Sequence, residues 1–208
     1  MYLCKPTKQM SDTYKTISSL SEGLYKEKGS RFISFAVPVD SLETIKELLN
    51  DYRKQFYDAR HVCYAYMLGA ERIDFRVNDD GEPSGTAGRP ILGQINSNGL
   101  TNILIVVVRY FGGVLLGTGG LVTAYKEAAA DAIRNAEIVE RTVERYFKIS
   151  FDYIYMNDVM KTVKETNAQI SRQGYDQNCV LELSIRKNDA DTLSEKLHKI
   201  NTVYLQEK

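Results

Sequence analysis

The chain has 208 residues, of which 43% are apolar, with 27 basic and 27 acidic side chains. The apolar content excludes a disordered chain, and the length suits two domains of ordinary size. Basic and acidic residues number 16 and 17 up to Glu140 and 11 and 10 after it, which excludes nucleic-acid recognition by bulk charge and leaves only a local basic patch for that purpose. The cysteines at 4, 63 and 179 are odd in number and far apart, a pattern of reduced thiols in a cytoplasmic protein. No apolar signal region is read in the first thirty residues. The longest strongly apolar run, Ile103 to Val108, is too short to span a membrane, so no membrane partner is expected.

The stretch to about Leu20 reads as a polar lead-in. Leu24 to Lys28 and Arg31 to Val39 read as strands joined by a turn at Gly29 and Ser30. Asp40 with Glu43 fits a capping box, and Leu42, Ile45, Leu48, Leu49, Tyr52 and Phe56 follow at helical spacing. His61 to Leu68 and Arg72 to Val77 form an expected hairpin around Gly69, followed by a sharp turn over Asn78 to Gly81. Pro90 suits the first position of a short helix. Ile103 to Val108 is the expected buried strand, followed by a glycine-rich segment and an alanine-rich helix from about Leu121 to Ala136. Beyond Arg141 the expected elements are a strand over 146–153, a helix over 157–167 with Val159, Met160 and Val163 inward, and strands over 169–175 and 179–186 with a turn at Asp176 to Asn178. Asn188 then caps a last helix, and a final strand lies near Val203 to Leu205. That order is β-α-β-β-α-β, the ferredoxin-like arrangement. The expected fold is therefore α+β, in two domains covering residues 1–140 and 141–208.

The segment Arg109 to Leu121 reads RYFGGVLLGTGGL. A strand, a glycine loop and a helix start together cradle anions, because glycines let backbone N–H groups converge and the helix N-terminus adds partial positive charge. Gly112 and Gly117 have P-loop spacing, but Thr118 stands where the P-loop has Lys and Gly119 where it has Ser or Thr. Nucleotide hydrolysis is thus not expected. Two readings stay open: Arg109, Gly112, Gly113, Gly117, Thr118, Gly119 and Gly120 form an anion- or nucleic-acid-binding surface, or the glycines serve tight turns and close packing. The turn Asp79-Asp80-Gly81-Glu82 reads as an ordinary acidic turn. His61 and Cys63 share a strand face, with a structural role preferred for His61. With His198 the only other histidine there is no zinc ligand set by spacing, and neither metal nor cofactor is expected.

Three stretches are specific in combination: Asp80 to Leu92 (DGEPSGTAGRPIL), Val106 to Gly113 (VVVRYFGG) and Leu116 to Leu121 (LGTGGL). They resemble the signature of the YigZ/IMPACT family, as does Ala59 to Tyr66 with its early histidine. The resemblance covers about residues 20 to 135, and the tail resembles the family's bacterial C-terminal domain. It implies an N-terminal domain similar to the second domain of a small-subunit ribosomal protein and to domain four of elongation factor G, and a C-terminal domain similar to domain five of that factor. It also implies a regulator of translation working through RNA, the ribosome or translation-regulatory proteins. That is the preferred reading. The alternative is an enzyme acting on a small phosphorylated or carbonyl substrate through His61, Asp79, Glu82 and Arg109. Convergence of these four in one pocket would favour the enzyme, and a broad basic groove the regulator.

Overall fold

The computed structural model describes residues 12–175 and 178–208. Cys4 and most of the turn at Asp176 to Asn178 lie outside the described residues, as does the start of the polar lead-in. The described residues divide into two compact units, Tyr14–Arg141 and a second made of residues 12–13 with Thr142–Lys208. No helix among the described residues is long and apolar enough to cross a membrane.

In chain order the first unit holds β1 (Thr13–Ile17), β2 (Ser21–Glu27), β3 (Ser30–Pro38), α1 (Leu42–Gln55), β4 (His61–Leu68), β5 (Asp74–Asn78), α2 (Gly88–Ser97), β6 (Ile103–Tyr110), α3 (Gly117–Arg134) and β7 (Ile138–Thr142). Five strands form one sheet in the order β2-β3-β6-β4-β5, antiparallel at every pairing. β1 pairs with β7 in a separate ribbon, so part of the expected lead-in is strand. The β2–β3 turn is made by Lys28 and Gly29, both at positive φ, while Ser30 already pairs with Glu27. Two central residues at positive φ match the twist of a tight hairpin.

β6 is central, and its residues from Ile103 to Val108 are fully buried. Both faces of the sheet are covered, which is why this strand reads as a continuous apolar run without alternation. Leu104, Val106 and Val108 pack with Ile45 and Tyr52 of α1. Ile103, Ile105 and Val107 pack on the other face with Ile91 and Ile95 of α2 and Ala124, Tyr125 and Ala128 of α3.

In the first unit, helix starts differ from the sequence reading in three places. Ser41, not Asp40, caps α1, its extended backbone letting the hydroxyl accept from Thr44 N at 3.3 Å. α2 opens at Gly88, two residues before Pro90. The proline is tolerated there because first-turn N–H groups have no intrahelical partner. α3 opens at Gly117, so Thr118, Gly119 and Gly120 are its first turn and not a loop before it.

The second unit runs β8 (Glu144–Phe151), α4 (Met156–Glu165), β9 (Gln169–Tyr175), β10 (Cys179–Arg186), α5 (Ala190–Leu197) and β11 (Tyr204–Glu207). Its sheet has the order β11-β8-β10-β9, antiparallel throughout. Phe147, Ile149, Leu181 and Leu183 pack with Val159, Val163, Leu193 and Leu197. Met160 is 39% exposed, because the inward stripe of α4 runs through Val159 and Val163 and Met160 flanks it. A single 3-10 turn, Lys187–Asp189, precedes α5, so Asp189 and not Asn188 is its N-cap residue.

Candidate active site

The site grows from the register of the sheet. Arg109 on β6 stands opposite Phe32 on β3 and His61 on β4. Side chains alternate along a strand, and Phe32, Cys63 and Val107 all belong to the α2–α3 face. Arg109 and His61 therefore project from that same face, at the sheet's end. The Arg109 guanidinium lies over two rings, 5.4 Å from the centroid of Phe32 and 5.7 Å from that of Phe111.

The turn after β5 carries the acidic partners. Asp80 and Gly81 both have positive φ, which turns the chain sharply enough to bring Glu82 under the sheet edge. Asp80 fixes the turn: Oδ2 accepts from Val62 N at 2.6 Å and Oδ1 from Arg53 Nη2 at 2.7 Å. Its main-chain oxygen lies 2.7 Å from His61 Nδ1. A carbonyl only accepts, so Nδ1 carries a proton and, in the neutral ring, Nε2 carries the lone pair.

Glu82 is the hub. Its Oε1 accepts from Arg109 Nη1 at 2.6 Å and Tyr125 Oη at 2.8 Å, and His61 Nε2 stands 3.8 Å away. Burial, then Cys63 and Glu82 beside it, push the Tyr125 phenol far up, so it stays protonated as a donor. Cys63 Sγ lies 3.0 Å from Asp79 O and 3.3 Å from Tyr125 Oη. Burial raises its thiol strongly, and a fully buried thiol held in that form is no nucleophile. The shared face of His61 and Cys63 thus produces no Cys–His pair.

Asp79 is not with the others. Its carboxylate turns the opposite way and accepts from Gly85 N at 2.8 Å, Ala87 N at 3.0 Å and Gly88 N at 2.8 Å, closing the start of α2. Spacing alone could not show this, because both turn carboxylates precede the same loop. Burial raises the Asp79 carboxyl, but the N–H bonds from Gly85, Gly88 and Ala87 outweigh it, and the net shift is downward. A depressed folded value means that the stabilising contribution is present above the unfolded value of about 3.9 and is lost as pH falls through the folded value. Asp79→Asn is expected to be less stable at neutral pH and to show a shallower acid limb in unfolding free energy against pH. An acid limb as steep as the wild type's would take Asp79 out of that role.

A cavity of about 450 Å³ opens over this cluster. Its polar lining is Arg60, His61, Glu82, Arg109 and Thr118, and its apolar lining includes Phe111, Leu115 and Leu121. Of the four expected catalytic candidates the cavity gathers His61, Glu82 and Arg109. The glycines of the expected anion surface divide. Gly117 lines the cavity, and Gly119 faces open space. Gly112 instead packs on Gly29, where a Cβ would lie 1.9 Å from its carbonyl carbon, and Gly113 supplies a positive φ. Tyr125 escaped the sequence reading because it sits in an alanine-rich core stripe. A buried tyrosine hydroxyl that requires a partner was the available signal.

The description "Impact N-terminal domain" matches residues 28–133 of the chain. The chain is 32% identical over 186 residues to the IMPACT family member YvyE of Bacillus subtilis (strain 168), covering 89% of this chain and 86% of that protein. It is 33% identical over 181 residues to the IMPACT family member YigZ of Escherichia coli (strain K12), covering 86% and 89%. A solved structure described as the crystal structure of an hypothetical protein superposes with a TM-score of 0.72 at 30% identity, over 93% of this chain and 96% of that one. The chain belongs to the IMPACT family.

Proposed function

We propose that the chain acts on a small anionic metabolite by proton transfer, with His61 as the proton carrier. The observation that carries this reading is the convergence of His61 Nε2, Glu82 and Arg109 on one cavity of about 450 Å³ with apolar walls. A cavity of that size with a few convergent polar groups suits a small molecule. With Nδ1 donating to Asp80 O, neutral His61 presents the Nε2 lone pair as a general base. Once protonated, Nε2–H⁺ faces the Glu82 carboxylate 3.8 Å away. Both protonation states therefore have a partner, which is what a general acid–base residue needs. Arg109 and Tyr125 hold the Glu82 carboxyl in a fixed orientation beside His61.

Translation-linked regulation through RNA, the ribosome or regulatory proteins draws on other observations: family membership, and the β-α-β-β-α-β second unit, which we read as ferredoxin-like and similar to domain five of elongation factor G. The cavity favours the small molecule because its cationic lining is Arg60 and Arg109, and Arg109 is ion-paired. A track for successive phosphates needs more unpaired cations than that.

The test is a panel of phosphorylated and carboxylated metabolites, scored by thermal shift and then by turnover, on wild type and His61→Gln. The expected result is a compound that stabilises both proteins and is turned over about 10²–10⁴-fold more slowly by the variant. A panel without stabilisation, alongside retention on ribosomes or RNA that falls with salt, would transfer the function to the regulatory reading.

A further inference from the structure

The cavity has a second polar wall that proton transfer leaves unused, the start of α3. The N-cap residue Leu116 provides no side-chain cap, and the first turn holds no acidic residue, although the helix dipole favours one there. Among the described residues no acceptor meets the N–H groups of Thr118 and Gly119, which precede the first donor that the helix itself can satisfy. A Cβ on Gly119 would touch nothing within 4 Å, so those donors stand uncovered. Thr118, itself exposed, lines the cavity.

A second observation is independent of the helix. Arg109 is 5% exposed and lines the same cavity. Only its Nη1 is engaged, by Glu82. Its Nε is buried with no hydrogen-bond partner, and no acceptor among the described residues meets Nη2. The buried Nε–H is costly without an acceptor; Nη2, unlike Nε, keeps accessible surface and is the donor that a ligand in the cavity can reach. The guanidinium also lies over the Phe32 and Phe111 rings.

Building on the proton-transfer reading, we infer that this wall holds the substrate's oxyanion, a phosphate or carboxylate, between the first turn of α3 and Arg109. The rest of the molecule is apolar and packs on Phe111, Leu115 and Leu121, which directs its reacting atom toward His61 Nε2. The substrate class is thus an organic phosphate or carboxylate with a hydrophobic body.

Phenyl phosphate, benzoate and neutral benzyl alcohol are the probes, added to the full chain. Affinity is read by calorimetric titration and location by the His61 ring-proton resonance, told apart from that of His198, the only other histidine, with His61→Gln. The expected result is that an anion shifts the His61 resonance and binds at least tenfold more tightly than benzyl alcohol. The tighter of the two anions distinguishes phosphate from carboxylate. Thr118→Glu should weaken the anion at least tenfold with no loss of melting temperature, since an acidic first turn suits the helix dipole. Should that variant fail to fold, Gly119→Glu, whose side chain enters open space, makes the same test. If benzyl alcohol moves His61 and binds as tightly as the anions, or if the acidic variants bind like wild type, the oxyanion wall is overturned while the cavity reading stands. If none of the three probes moves His61, both are overturned.

Discussion

Glu82→Ala is expected to lower the unfolding free energy by about 3–5 kcal/mol, the cost of leaving a buried charge without its partner. The Glu82 side chain is 3% exposed and that of Arg109 6%, so water cannot take over the lost role. The guanidinium already has an unpartnered Nε, and the substitution would strip Nη1 as well. The Tyr125 hydroxyl would lose the oxygen it donates to at 2.8 Å. Glu82→Gln keeps an acceptor in place and should cost less, about 1–3 kcal/mol. Replacing both partners with apolar residues, Glu82→Leu with Arg109→Met, should recover most of the loss, because a buried pair is worth little against apolar packing of similar volume. Urea unfolding of the four proteins checks the order. A single alanine variant within 1 kcal/mol of wild type would show that the cluster holds no uncompensated charge when opened. The double variant has a further use: it should be stable and yet inert toward every ligand of the cavity.

How the site is built explains what could be read from the chain in advance. The strands and their faces were legible, because Ile103 to Val108 and Leu181, Leu183 and Ile185 have apolar patterns that only burial explains. The position of His61 on a strand was legible for the same reason, whereas Arg109 was read into the glycine-rich segment and lies on β6, which runs on to Tyr110. Their meeting was not legible. It depends on β4 and β6 being neighbours in a register that sets His61 opposite Arg109, and register is fixed by the whole sheet. The acidic turn was visible as a turn, but not the division of labour within it. Asp79 caps the start of α2, Asp80 ties β4 to α1, and Glu82 alone enters the cavity, because the positive φ values at Asp80 and Gly81 reverse the chain between them. Helix starts were displaced for a local reason. Thr118 to Gly120 lack helix propensity, and their inclusion in α3 rests on the packing of Leu121, Ala124 and Tyr125 against the sheet, which propensity does not encode.

The glycine-rich segment allows one comparison in which the same atom, added at two places seven residues apart, has opposite effects. At Gly112 an added Cβ would lie 1.9 Å from the Gly29 carbonyl carbon and 2.1 Å from Ser30 N. Those are main-chain atoms of a tight hairpin, and Gly112 N is itself held to Ser30 Oγ at 3.2 Å, so neither backbone can yield cheaply. Gly112→Ala is expected to cost about 3 kcal/mol, the upper end for overpacking. The displaced segment begins at Phe111, whose ring lies 5.7 Å from the Arg109 guanidinium, so ligand affinity should fall together with stability. At Gly119 the added Cβ meets nothing within 4 Å, and the residue lies inside α3 without a positive φ. Gly119→Ala is expected to gain about 0.5–1 kcal/mol, because alanine loses less backbone entropy in a helix. A methyl in open space is also too small to close the first turn to an oxyanion, so affinity should hold where Gly119→Glu removes it. Melting curves and a titration with phenyl phosphate on the two alanine variants read both effects. Equal losses of stability at the two positions would mean that the glycines act as one packing unit, and the start of α3 would then have no claim as an open anion wall.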